Sequence, residues 1–172
     1  MIDSQPLSPA VKTFLAKHQL DNSYVDHANR WLTPIAEHIQ SMSSNRNGQT
    51  IIVGITGSQG SGKSTLAAYL NTMLTDQANL RCVNCSLDDF YLTREQRADL
   101  ASKEHPLLAT RGVPGTHDTR LAIQTLSELR KKSGTVHVPV FDKSIDDRAA
   151  HSDTVNLPVD VVIFEGWCIG AE

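Results

Sequence analysis

An α/β fold built on a mostly parallel sheet is what this sequence predicts, and three observations predict it. A short apolar run, Ile51–Thr56, leads straight into a glycine-rich loop and then into a helical segment. Apolar strand-like runs recur downstream, separated by segments of helix length, which implies βαβ crossovers and a sheet covered on both faces. The 172 residues suit one domain with one buried core. Hydrophobic residues make up 40% and charged residues 20%, the usage of a chain that folds rather than of a disordered one.

Residues 1–48 are expected to form a helical extension. Leu7, Val11, Phe14, Leu15 and His18 fall on one helical stripe, and Tyr24, Ala28, Trp31, Leu32, Ile35 and Ile39 on a second. Two amphipathic helices follow from this, with Ser23 and Asp26 as a loose capping box and Pro34 either kinking the second helix or marking a start. Residues 41–50 are polar, with Asn47-Gly48 as a turn signal, and read as a linker.

Residues 49–172 are expected to form the core. Its first strand, Ile51–Thr56, is a nearly continuous apolar and β-branched run, as suits burial on both faces. Residues 64–74 read as a helix, 80–87 as a second strand and Arg94–Lys103 as a helix. Residues 118–132 carry Leu121, Ala122, Thr125, Leu126 and Leu129 at helical spacing, with basic residues in the last turn and Gly134 beyond the end. Residues 135–140 alternate as a strand, and 159–164 form a last apolar one.

Charge and composition exclude several functions. The net charge is −3 and the sixteen Lys and Arg form no basic stripe, so nucleic acid is not an expected partner. No apolar run reaches membrane-spanning length, and residues 1–6 lack a basic start followed by an apolar stretch; a cytoplasmic protein without a membrane partner is the expectation. Three cysteines make a disulfide framework improbable. Cys82 and Cys85 sit three apart in a strand, on opposite faces, with no second pair at ligand spacing, and read as small buried hydrophobes.

Gly57-Ser58-Gln59-Gly60-Ser61-Gly62-Lys63-Ser64 matches G-x-x-x-x-G-K-[ST] at every fixed position, and Thr65 follows. The context is right, since the motif lies between a buried strand and a helix. A polyphosphate needs several donors with no bulk between them, and glycines let backbone N–H groups turn inward at a helix N-terminus. Lys63 adds a mobile charge for the β- and γ-phosphates, and the Ser64 hydroxyl can ligate Mg²⁺. The cofactors implied are ATP and Mg²⁺, and the fold becomes a P-loop NTPase three-layer sandwich with an N-terminal helical extension.

Ligands of open α/β sheets gather at the carboxyl ends of the strands, and two acidic sites end strands here. Glu165 closes the last strand and can hold Mg²⁺ as a Walker-B acid does, or it is a solvated strand end. Asp88 and Asp89 close the second. A kinase acting on an alcohol gains from a carboxylate that orients the attacking hydroxyl and accepts its proton. One of the pair can do this while the other binds metal or caps the next helix.

Read together, the loop, Asp88-Asp89-Phe90-Tyr91 and Phe164-Glu165-Gly166 resemble the P-loop small-molecule kinases that include uridine kinase, pantothenate kinase and phosphoribulokinase. Arg111-Gly112-Val113-Pro114-Gly115-Thr116-His117-Asp118, Pro139-Val140-Phe141-Asp142-Lys143-Ser144 with Arg148, and Trp167-Cys168 narrow the likeness to the plant-type D-glycerate 3-kinase branch and its bacterial and fungal relatives. The resemblance covers residues from about 51 onward. It implies Asp88 as base and leaves Asp89 with Ser64 and Glu165 as metal ligands. It places Tyr91, Phe141, Asp142 and Arg148 with the acceptor substrate. Phe141 stands where uridine kinases have Tyr, and Asp146 where they have His, which argues against a nucleoside acceptor. A glycerate-like hydroxy acid would meet Arg111, His117, Lys143 and Arg148 as available cations; the alternative role of His117 is to precap the helix that follows. Relatives continue beyond the last strand with further helices and a basic lid, so residues 49–172 are expected to lack the C-terminal part of the family domain.

The function expected is therefore an ATP-dependent kinase of a small hydroxy acid, with D-glycerate as first candidate. The alternatives are a regulatory NTPase switch, for which the guanine signature Asn-Lys-x-Asp is missing, and a nucleotide-binding protein that no longer catalyses.

Overall fold

A computed structural model of the chain describes residues 7–46 and 48–170. Residues 1–6, Asn47 of the expected turn, and 171–172 lie outside the described residues. Gly48 does adopt the left-handed conformation a turn needs, with φ of 71°.

The described residues of the extension hold three helices rather than two. Helix α1, Pro9–His18, starts where Ser8 Oγ accepts a hydrogen bond from Val11 N at 3.3 Å and stops at Gln19 in a left-handed conformation. Helices α2, Ser23–Trp31, and α3, Thr33–Asn45, divide the second predicted stripe at Leu32. Pro34 lies in the first turn of α3, where its missing N–H costs nothing; it marks a start and not a kink. The rings of Phe14, Tyr24 and Tyr69 pack against one another with centroids 5.1 to 5.7 Å apart, and through them α1 and α2 share one apolar cluster with helix α4, Lys63–Asp76.

Three parallel strands form the central sheet, in the order β1, Ile51–Thr56; β5, Val161–Gly166; β2, Cys82–Ser86. Val161, Val162 and Ile163 of the middle strand have no exposed surface. Val161 and Ile163 belong to the cluster under α4, whereas Val162 joins Cys85, Phe90, Ala122 and Leu129 under helix α6, Thr119–Leu129, on the other face. This alternation makes three layers of the chain. Burial pushes the thiols of Cys82 and Cys85 up, to about 11 and about 12, as expected of inert cysteines.

The strand read at 135–140 is real but lies outside the parallel sheet. It runs from Thr135 to Asp142 as β3 and pairs antiparallel with β4, Asp147–Asn156. Four residues connect them, a length that permits a hairpin and no crossover. Strand β4 carries Asp147, Arg148, His151, Ser152 and Asp153 with no apolar alternation, so nothing in its composition announced a strand. Helix α6 begins one residue after Asp118, whose Oδ1 accepts from Leu121 N at 3.0 Å; such a cap contributes about 1 kcal/mol. It ends before the basic residues predicted for its last turn.

Helix α5, Arg94–Lys103, starts with a complete capping box between Thr93 and Gln96. Its Arg97 is fully buried. The guanidinium donates to the carbonyls of Leu92, Ala109 and Asp146 and pairs with Asp146 Oδ2 at 2.7 Å, which ties α5 to the β3–β4 turn. Arg97→Ala leaves the carbonyls of Leu92, Ala109 and Asp146 without this donor, while the partly exposed Asp146 carboxylate keeps Arg111; it is expected to cost about 1–3 kcal/mol, read as a lowered midpoint in urea unfolding.

Candidate active site

The sheet aims its carboxyl ends at one place. From β1 the chain enters the loop 57–62, and α4 begins at Lys63. Gly62 caps that helix with φ of 85°, a conformation that side chains resist. Strand β5 delivers Glu165 beside the loop. The glycine after it is required by space, because a Cβ on Gly166 would lie 2.6 Å from Leu87 Cβ, where β2 ends against β5. Strand β2 runs into a 3-10 turn, Leu87–Phe90, held by Ser86 Oγ accepting from Asp88 N at 3.3 Å. That turn sets Asp88 and Asp89 opposite the loop.

A cavity of about 440 Å³ lies between them, and Gln59, Gly60, Lys63, Ser64, Asp88, Asp89, Lys143 and Glu165 all line it. Ser64 Oγ donates to Glu165 Oε1 at 2.9 Å, although 101 residues separate them in sequence. Lys63 Nζ folds over the loop and donates to Ser58 O at 2.9 Å. Gly57 and Ser58 face an adjoining hollow with Gln59 and Trp167, whereas Ser61, Gly62 and Thr65 line the far side of the loop.

A hydroxyl and a nearly buried carboxylate in contact are a donor set suited to a hard divalent cation. Among the described residues no group of three or more His, Cys, Asp and Glu stands at ligand spacing. Mg²⁺ accepts such a sparse site, since it draws the rest of its shell from phosphate oxygens and water.

The acids across the cavity differ. Asp88 Oδ2 accepts from Lys143 Nζ at 2.8 Å, with the Lys143 side chain 61% exposed. Asp89 Oδ1 accepts from Phe141 N at 3.1 Å, anchoring the end of β3 to the turn. Burial pushes the Asp89 carboxyl above its ordinary value, against that hydrogen bond.

The other acceptor-side residues gather behind Asp88 and do not line this cavity. Tyr91 is buried, stacked on His117 with centroids 4.2 Å apart and edge-on to Phe141. Burial, then the charge of Asp88, pushes its phenol up to about 12. Burial also lowers the His117 imidazole, and its Nε2 has no hydrogen-bond partner among the described residues. Asp142 accepts from the Ser144 hydroxyl and amide at 2.6 and 2.8 Å, bonds that lower its carboxyl and shape the hairpin turn. Arg111 pairs with Asp146, and Arg148 with Asp118 at 2.9 Å and the Tyr91 carbonyl at 3.0 Å. Three side chains were given no site role in the sequence. Trp167 lines the cavity, its Nε1 without a hydrogen-bond partner among the described residues, and Asp146 and Arg97 brace Arg111 and the hairpin turn.

Residues 52–169 match the Phosphoribulokinase / Uridine kinase family. The chain belongs to this kinase family. It is 42% identical over 135 residues to an uncharacterized kinase, mug58, of Schizosaccharomyces pombe, covering 73% of this chain and 48% of that protein. It is 35% identical over 147 residues to the chloroplastic D-glycerate 3-kinase of Arabidopsis thaliana, covering 79% of this chain and 32% of the relative. The solved D-glycerate 3-kinase of Cryptococcus neoformans superposes with a TM-score of 0.73 at 34% identity, over 80% of this chain and 52% of that one. The chain thus spans about half or less of the length of these phosphoribulokinase/uridine kinase relatives. No described helix is long and apolar enough to cross a membrane.

Proposed function

We propose that this chain carries the phosphate-binding core of an ATP-dependent kinase that phosphorylates a hydroxyl of a small hydroxy acid, with D-glycerate as first candidate. The observation that carries the reading is the placement of Asp88 across one cavity from the Ser64–Glu165 pair and Lys63. Residues 49–172 act as the kinase core and 1–48 as an N-terminal extension whose described helices, within residues 9–45, pack on it, in the cytoplasm.

Backbone amides of 57–64 and the Lys63 ammonium bind the β- and γ-phosphates. Ser64 and Glu165 would hold Mg²⁺, with Asp89 within the same cavity. When bound, Mg²⁺ supplies positive charge that offsets the charge of the β- and γ-phosphates. Asp88 orients the acceptor hydroxyl and takes its proton as that oxygen bonds to the γ-phosphorus and the bond to ADP breaks.

Arg111 and Arg148 are engaged by Asp146 and Asp118, and their side chains are 34% and 22% exposed. Lys143, at 61%, is the cation freest to move. An acceptor carboxylate draws Lys143 away from Asp88 and so frees Asp88 for the hydroxyl. The likeness to two D-glycerate 3-kinases supports this acceptor class.

The test is a coupled ADP assay with hydroxy acids, nucleosides and sugars as acceptors. ADP is expected to appear only with an acceptor, and hydroxy acids should lead. ADP formed at the same rate in buffer alone would favour a regulatory NTPase.

A further inference from the structure

The P-loop has a second cavity on the side turned away from Asp88 and Glu165. It measures about 410 Å³, within the range of small-molecule sites. Its walls are Ser61, Gly62 and Thr65 from the loop and α4, with Tyr24, His27 and Trp31 from α2. None of the acids discussed above lines it, and neither does any residue of the segment 111–118.

The direction of a bound triphosphate follows from the acids. Its terminal phosphate must face Asp88 to be transferred, so the other end leaves the loop on the opposite side, past Gly62 and Thr65. What waits there suits a planar ligand. Trp31 is 63% exposed. Arg30 lies over its ring at 5.1 Å, and an indole this exposed offers surface for stacking. His27 Nδ1 lies 3.0 Å from the Ser23 carbonyl. A carbonyl only accepts, so Nδ1 is the donor and Nε2 of the neutral ring is an acceptor. Adenine presents a 6-amino donor where guanine presents an oxygen.

We propose that this cavity binds the adenine base of the nucleotide, stacked on Trp31 with its 6-amino group toward His27 Nε2. The inference rests on the phosphate-binding role of residues 57–64 and adds a base-binding role for the N-terminal extension.

Titration calorimetry with Mg-ATP, Mg-GTP and Mg-tripolyphosphate separates the two. Trp31→Ala is expected to weaken ATP about five- to hundredfold, the range of base–aromatic stacking, and to leave tripolyphosphate unchanged. His27→Phe keeps a stacking surface and should erase the preference for ATP over GTP. Trp31→Ala binding ATP like the wild type, or losing ATP and tripolyphosphate alike, overturns the base site. The first outcome would hand the exposed Trp31 to a protein contact. Tripolyphosphate failing to bind the wild-type chain is a different result: it overturns the phosphate site, and the base site with it.

Discussion

Lys63→Ala is expected to lower phosphoryl transfer by at least about a hundredfold, the scale for removing one donor aimed at developing charge. The Lys63 ammonium lies against Ser58 O at 2.9 Å, at the start of α4 and beside the Ser64–Glu165 pair. No other positive side chain from the loop or the start of α4 lines the cavity; Lys143 stands across it on Asp88. The fold should be indifferent, because Lys63 makes this one bond from a partly exposed position. A stability change within about 0.5 kcal/mol is expected. Lys63→Arg should not restore activity, since a planar guanidinium is larger than the compact ammonium it replaces. Initial rates and urea unfolding on the same preparations check both halves. A Lys63→Ala protein with half the wild-type rate would contradict the role given to the loop.

The parallel core was legible because its signals are local and chemically loud. The apolar runs of β1 and β5 can be buried only on both faces, and a glycine loop followed by Lys63-Ser64 has few uses other than gripping phosphate. The acids were legible for a related reason, as charges that end apolar strands. The hairpin was not. Strand β4 earns its place through backbone pairing with β3, and its polar side chains give no period to read. The cations were legible as residues but not as partners. Arg111, Arg148 and Lys143 were all read as available cations in sequence, whereas the fold pairs each with a carboxylate, Asp146, Asp118 and Asp88, which are 35, 30 and 55 residues away. Arg97 shows the limit most clearly: in the sequence of α5 it resembles a surface residue, and the return of residues 106–109 and of the 142–147 turn onto that helix buries it. The split of the second N-terminal stripe into α2 and α3 followed from Pro34, where sequence left a kink and a start as equal choices.

Asp88→Asn should separate binding from chemistry. The replacement keeps the size of the side chain and an oxygen to accept from Lys143 Nζ, which Asp88 Oδ2 meets at 2.8 Å. That ion pair is partly exposed, so its loss should cost at most about 1 kcal/mol of stability. The loop, Lys63, Ser64 and Glu165 are untouched, so Mg-ATP should bind as to the wild type. An amide cannot take the proton of an acceptor hydroxyl, and turnover is expected to fall by about 10² to 10⁴. Calorimetric affinity for Mg-ATP and acceptor-dependent ADP formation, measured side by side on Asp88→Asn and wild type, therefore test directly whether Asp88 faces a transferable phosphate. Unchanged affinity with collapsed turnover is the predicted result. Turnover near the wild-type rate would contradict it.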